Sequence, residues 1–266
     1  MNMGKCAPIG VLDSGVGGLT VLTRLKQLLP KENFIFIGDT ARTPYGCRPE
    51  AELREFVDQL ITWLEQREVK LIVIACNTLT NLGVSSLKKD HQCLLMGMSR
   101  AEQLLLATSR SKKIGVMATP FTISTEANKK AILAVDSTAE VYPMPCPKYV
   151  PLVESGKFGS EELAAAVREY AAPLKKAGID TLLLACTHYP FLKQEIGAEM
   201  GEGVRLVDPA EDTAMTAKKV LEVLDLLNTE GEGSTTICCT KDKERVARLA
   251  HRIMPDVDME FREVTL

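Results

Sequence analysis

Two cysteines in this chain stand in matching local settings. The stretches "VKLIVIACNTLT" (69–80) and "DTLLLACTHYPF" (180–191) each carry an apolar strand into Ala-Cys at its end, and hydrogen-bonding side chains follow: Asn77-Thr78 after Cys76, Thr187-His188 after Cys186. A single buried cysteine is ordinarily a small inert apolar residue. A pair 110 residues apart in the same setting points instead to chemistry. The thiol's reference pKa of about 8.5 is near enough to neutrality for one environment to make a thiolate base and another a thiol acid at the same pH. Two such groups can take opposite roles in a proton transfer. Cys6, Cys47, Cys93, Cys146, Cys238 and Cys239 lack this setting, and Cys47, in a polar loop, reads as incidental. No C-x-x-C occurs and the only histidines are His91, His188 and His251, so zinc-ligand and thioredoxin-like spacings are absent. His91 and His251 lie among charged residues and read as surface positions.

Two further polar segments follow apolar runs. In "VLDSGVGGLTVL", Gly15, Gly17 and Gly18 invite a dinucleotide reading, but Thr20 stands where G-x-G-x-x-G needs its last glycine, and no acidic residue ends the second strand at the ribose position. A tight strand-to-helix turn fits better, its amides able to receive an anion such as a carboxylate. Asp13 and Ser14 then sit at the C-terminal end of the strand, where open α/β sheets bind ligands; the plain alternative is that one of them caps the helix. The loop "IGDTARTPYGCRP" (37–49) is long for a βα connection. Tyr45-Gly46, after Pro44, can present backbone amides and a phenol to a ligand, or form an ordinary proline-nucleated turn.

The elements that must position these residues show in the hydrophobic pattern. Short apolar runs near 8–12, 33–37, 70–75, 93–97, 113–118, 139–142, 180–185, 204–207 and 234–238 alternate with amphipathic ones, the pattern of parallel strands covered by helices. In the helical stretch 49–67, Phe56, Leu60, Trp63 and Leu64 recur at spacings of three and four, which places Trp63 in the core. The chain also repeats weakly: "IGVLDSG" at 9–15 opens like "IGVMATP" at 114–120, an offset of 105, close to that of the two Ala-Cys strands. A doubled α/β architecture follows. The Pro-rich "YPMPCPKYVP" (142–151) is the most irregular piece.

At 266 residues, 45% hydrophobic and 25% charged, the chain has the composition of a soluble globular protein with one large α/β unit or two lobes. A net charge of −3 without a Lys/Arg-rich run interleaved with aromatics argues against nucleic acid as a partner. Neither a signal-peptide apolar region at the start nor a run of roughly 18 apolar residues is present, so a cytosolic chain with reduced thiols and no membrane contact is expected.

The segments "VLDSGVGGLTVL", "GDTARTPYG", "ACNT" and "LACTHYP" occur in the order and spacing of the glutamate racemases. The chain resembles this family, of the cofactor-independent aspartate/glutamate racemase superfamily, from about residue 8 through the helix after "VDPAEDTA" (207–214). The resemblance implies an α/β fold of two similar lobes, each a mostly parallel sheet flanked by helices, pseudo-duplicated, with the active site between the lobes. It divides the chain into 1–98 plus 208–266, carrying Cys76, and 99–207, carrying Cys186. It further implies catalytic thiols at Cys76 and Cys186, assisted by Asp13 and His188. Substrate contacts fall at Asp13, Ser14, Tyr45, Gly46, Asn77, Thr78, Thr187 and His188, with Asp39 and Glu154 supporting. The implied activity is interconversion of L- and D-glutamate by two-thiol proton transfer at Cα, supplying D-glutamate for peptidoglycan. A cytoplasmic homodimer needing neither cofactor nor metal is also implied. Leu79 departs from the family, where a smaller residue, usually alanine, is common, as does Asn128, where an aromatic residue is frequent. Both bear on pocket volume, so aspartate remains the nearest alternative substrate. A non-catalytic two-lobed amino-acid binding protein and a redox dithiol enzyme are the rivals from other classes.

Overall fold

The computed structural model describes residues 4–266; the first three residues of the expected first lobe lie outside the described residues. By its contacts the chain divides into two compact units, one running to Met98 and resuming over Ala210–Leu266, the other Ser99–Pro209.

The first unit is built on six parallel strands: β1 (Ile9–Asp13), β2 (Phe34–Gly38), β3 (Leu71–Ile74), β4 (Leu95–Gly97), β9 (Thr235–Cys239) and β10 (Glu260–Glu263), in the order β10-β9-β2-β1-β3-β4. A parallel sheet with both faces covered has unbroken apolar strands, and every residue of β1 and β3 is buried. The helix Leu19–Leu28 turns Leu19, Val21, Leu22 and Leu25 inward, and Glu50–Glu65 does the same with Leu53, Val57, Leu60, Ile61 and Leu64. Trp63, from the latter helix, is a core residue as its spacing suggested.

The second unit holds β5 (Lys113–Ala118), β6 (Glu140–Pro145), β7 (Thr181–Ala185) and β8 (Arg205–Val207), again all parallel, in the order β6-β5-β7-β8. This order repeats β2-β1-β3-β4 of the first sheet, with β5 in the place of β1 and β7 in the place of β3. The weak sequence repeat is therefore a repeat of topology. One core cluster here gathers Leu105, Ile114, Val116, Ala118, Ile132, Leu183 and Ala185.

Four expectations need correction. Cys76 and Cys186 are not the last residues of their strands, which end at Ile74 and Ala185; on the first, the ladder finishes with the Ala75 amide on the Leu12 carbonyl (2.9 Å), and Cys76 already leads into the short helix Asn77–Thr80. The Pro-rich segment is mostly regular, with β6 running on to Pro145 and a helix over Tyr149–Glu154. Pro143 and Pro145 are tolerated because β6 is an edge strand and lacks a neighbour on one side. Strand β10 was not foreseen, since "EFRE" at a sheet edge is largely solvated and carries no apolar run. His91 is no surface residue: its side chain is 4% exposed, with Asp58 and Glu65 of one helix on its two ring nitrogens at 3.1 and 3.0 Å. His251 is exposed as expected. Among the described residues, no helix is long and apolar enough to cross a membrane.

Candidate active site

Parallel strands deliver all their C-terminal ends to one edge of a sheet, and the polar residues singled out by sequence lie along that edge in each unit. In the first unit, β1 ends at the fully buried Asp13, β2 runs into Asp39, and β3 into Cys76. The Cys76 thiol donates to Ser14 Oγ (3.6 Å), and Ser14 Oγ donates to Asp13 Oδ1 (3.1 Å), which also accepts the Gly15 amide (3.0 Å). Cys76 thus heads a buried thiol–hydroxyl–carboxylate relay. Neither Asp13 nor Ser14 caps the following helix, whose preceding residue is Gly18 and which has no side-chain cap. Gly18 is required by close approach: a Cβ there would lie 2.6 Å from Asp13 Cβ. Asn77 and Thr78 are both buried beside the thiol's backbone, and Asn77 Nδ2 has no hydrogen-bond partner. A buried amide donor without a partner is costly within the protein alone and is suited to receive a ligand's acceptor.

The loop after β2 is organised around Asp39. This carboxylate accepts from the Tyr45 hydroxyl, from Arg42 Nε and from Thr240 Oγ1 (2.9 Å). Burial first, and then Asp39, push the Tyr45 phenol above its ordinary pKa. The phenol is buried and donates to Asp39 within its own loop. Tyr45 and Gly46 remain at the sheet edge as buried backbone.

In the second unit, β7 exits into Cys186, Thr187 and His188, all buried, and then into the 3-10 turn Tyr189–Leu192. His188 Nδ1 lies 3.9 Å from Cys186 Sγ, and its Nε2 is 2.8 Å from Glu154 Oε1. Burial alone would lower the His188 pKa, but hydrogen bonding to Cys186 and Glu154 outweighs it and holds the imidazole well above its ordinary value. As an imidazolium, His188 carries protons on both nitrogens, one toward sulfur and one toward carboxylate. Here too a thiol is backed by a second group and a carboxylate. Cys146, after β6, is held well above the usual thiol range by burial and by Cys186, so it stays protonated and offers no competing base. Among the described residues, no group of three or more His, Cys, Asp or Glu side chains could hold a metal ion.

The sequence profile of the Asp/Glu/Hydantoin racemase family matches residues 9–249. The chain belongs to this family. The glutamate racemase of Microcystis aeruginosa is 39% identical to it over 252 residues, 95% of this chain and 89% of that protein. Among solved structures, a glutamate racemase from Bacillus anthracis superposes with a TM-score of 0.91 at 32% identity, covering 98% of each chain. A Francisella tularensis glutamate racemase in complex with D-glutamate superposes at 0.86 with 29% identity, again over 98% of each.

Within this racemase fold the structure adds residues that sequence reading passed over. Thr119 and Thr122 are buried at the exit of β5, beside β7, and hydrogen-bond to each other through their hydroxyls (3.1 Å). The repeat offset of 105 sets Thr119 opposite Ser14, a signal that was present in the sequence. Arg42 is the other; a residue that acts by holding a loop leaves no such signal.

Proposed function

We propose that this chain is a glutamate racemase that works without a cofactor, with Cys76 and Cys186 acting on opposite faces of one substrate Cα. What supports the reading most is the pairing of two buried thiols at equivalent exits of a repeated sheet, each with its own relay ending in a carboxylate. Racemisation removes a proton from one face of Cα and returns one to the other, which a single group cannot readily do. A thiolate on one side and a thiol on the other meet that need, and they exchange states when the reaction runs backwards. Ser14 and Asp13 assist proton transfer at Cys76, and His188, oriented by Glu154, does so at Cys186. Carbanion charge spreads onto the substrate carboxylate, so preorganised donors matter most there. Asn77 Nδ2, with no partner inside the protein, is the foremost of these, with Thr78 and Thr187 beside it. The Tyr45-Gly46 backbone contributes to substrate binding, and Asp39 supports it by holding the loop.

Glutamate, the ligand of the Francisella relative, is the substrate on this reading. One methylene separates it from aspartate, worth only about 1–3 kcal/mol in an apolar pocket, so the preference rests on how the distal carboxylate is met. The enzyme supplies D-glutamate for peptidoglycan as a cytoplasmic homodimer. A binding protein gains nothing evident from paired thiols, and a redox enzyme would have to turn over thiol equivalents.

The test uses exhaustively dialysed, chelator-treated protein with L- and D-glutamate and L- and D-aspartate, followed by loss of optical activity. Glutamate should racemise in both directions, and Cys76→Ser or Cys186→Ser should abolish it. A larger kcat/KM for aspartate would overturn the substrate, and activity restored only by added metal would overturn the mechanism.

A further inference from the structure

The turn carrying Cys186 and His188 leaves β7 at Ala185, and some of its bonds are local. The Tyr189 amide bonds the Cys186 carbonyl (3.0 Å) and the Phe191 amide the His188 carbonyl (3.2 Å), and both travel with the turn if it shifts. Two of its side-chain bonds run to the segment that leaves β6. One is His188 to Glu154; the other is the Tyr189 hydroxyl, which donates to the Cys146 carbonyl at 3.1 Å. The Cys146 amide in turn bonds the Ala118 carbonyl at the end of β5 (2.9 Å), so the accepting carbonyl is fixed by the sheet. The Tyr189 ring is completely buried, edge-on to Tyr149 with centroids 5.0 Å apart. In the same cluster the Tyr149 hydroxyl is buried with no hydrogen-bond partner. Ring packing alone thus does not require a bonded hydroxyl here, and the bond at Tyr189 is a specific tether across β5.

Resting on the racemase reading above, we propose that Tyr189 is a positioning residue for Cys186, its hydroxyl tying the Cys186–His188 turn to the β6 exit and so setting where the thiol meets Cα. Orientation of a reacting group is steeply rate-determining. The overall reaction hides such a one-sided effect, because an equilibrium constant of one forces kcat/KM to be equal in both directions. Elimination from 3-chloroglutamate reveals it. The thiolate takes the α-proton, the Cα–H electron pair forms a Cα–Cβ double bond, and chloride leaves with the C–Cl pair. The released enamine adds water to give the 2-oxo acid and ammonia. On that reading each Cα configuration reports one thiol; with Cys186 assigned to L and Cys76 to D, Cys186→Ser must stop elimination from the L compound alone and Cys76→Ser from the D compound alone.

The experiment compares the whole protein with Tyr189→Phe and Tyr149→Phe, the latter removing a hydroxyl that makes no bond. Tyr189→Phe should slow elimination from the L compound about tenfold, a fraction of the roughly hundredfold that a 1 Å misplacement can cost, and leave the D compound within about twofold. Tyr149→Phe should leave the L-to-D ratio at its original value. Because the Phe variant at 189 could fold poorly, 3-fluorotyrosine at 189, which keeps the ring and acidifies the hydroxyl, must also shift the ratio, and at 149 must not. Equal slowing of both compounds, or an unchanged ratio with 3-fluorotyrosine at 189, overturns the proposal while racemisation by the unaltered protein stands. Failure of the unaltered protein to racemise glutamate or aspartate overturns the functional reading itself, and this proposal with it.

Discussion

Cys76 and Cys186 are backed by different chemistry, a hydroxyl and carboxylate on one side and an imidazole and carboxylate on the other. Only the second relay contains an imidazole, and the sign of its shift can be tested. Contacts with Cys186 and Glu154 raise the His188 pKa in the folded chain above an unfolded value of about 6.5. The folded state therefore keeps a proton that the unfolded chain releases between the two values. That stabilisation is complete below the unfolded pKa and is lost as pH rises through the folded one. His188→Asn should cost most stability near pH 6 and progressively less into the alkaline range, as read by urea unfolding across a pH series. A cost that grows with pH would contradict the imidazolium. The thiols, Asp13, Ser14, Asn77 and His188 were legible from sequence because each follows an apolar strand, where a parallel sheet presents its ligand-binding edge.

At the scale of elements, the loop between β2 and the helix Glu50–Glu65 shows how a segment without secondary structure is held. The Arg42 guanidinium stacks 4.0 Å over the Phe56 ring, donates to Gln59 Oε1 at 2.6 Å and pairs with Asp39. Arg48 adds a bond from its Nη2 to the Arg42 carbonyl (2.7 Å). Arg42→Leu removes the cation from Asp39 while its side chain is already mostly sheltered, and should cost about 1–3 kcal/mol. If the loop serves substrate through its backbone at Tyr45-Gly46, KM should rise more than kcat falls, in steady-state kinetics on the folded variant. A fall in kcat with KM unchanged would move Arg42 from the binding loop to the chemistry. The loop's existence was evident from its length and polarity. The direction of its phenol was not, because nothing local in "GDTARTPYG" says that Asp39 turns back onto Tyr45.

For the whole chain, the sheet edge opposite Cys76 carries a different device. Lys70, just before β3, is fully buried and pairs with Glu32 at 2.6 Å. Its ammonium also donates to the carbonyls of Lys5 and Leu226, the latter at 2.8 Å, while Glu32 accepts the Asn228 amide at 2.8 Å. Segments more than 150 residues apart in sequence are joined here. Lys70→Met would leave a buried carboxylate without its cation, at a cost of about 3–5 kcal/mol, measured by urea unfolding. Racemisation per folded molecule should be unchanged, since the pair sits at the start of the strand and Cys76 at its exit. Lys70→Met with Glu32→Leu should recover much of the loss, and a single variant as stable as the original would show that the pair adds nothing.

Sequence by itself determined the α/β class, the apolar strand cores, the doubling of the architecture and the family, because buried parallel strands are unbroken apolar runs and polar residues follow them. Tertiary structure alone decided the partners. His188 meets Glu154 from 34 residues away, Tyr45 closes on Asp39 and His91 is enclosed by two carboxylates. It also decided that "EFRE" pairs as a strand and that prolines can end β6. The reason is the same in each case. Periodicity records which side of an element is buried, whereas a hydrogen-bond partner, or an edge position in a sheet, is set by what the fold brings alongside, and that neighbour is written elsewhere in the chain.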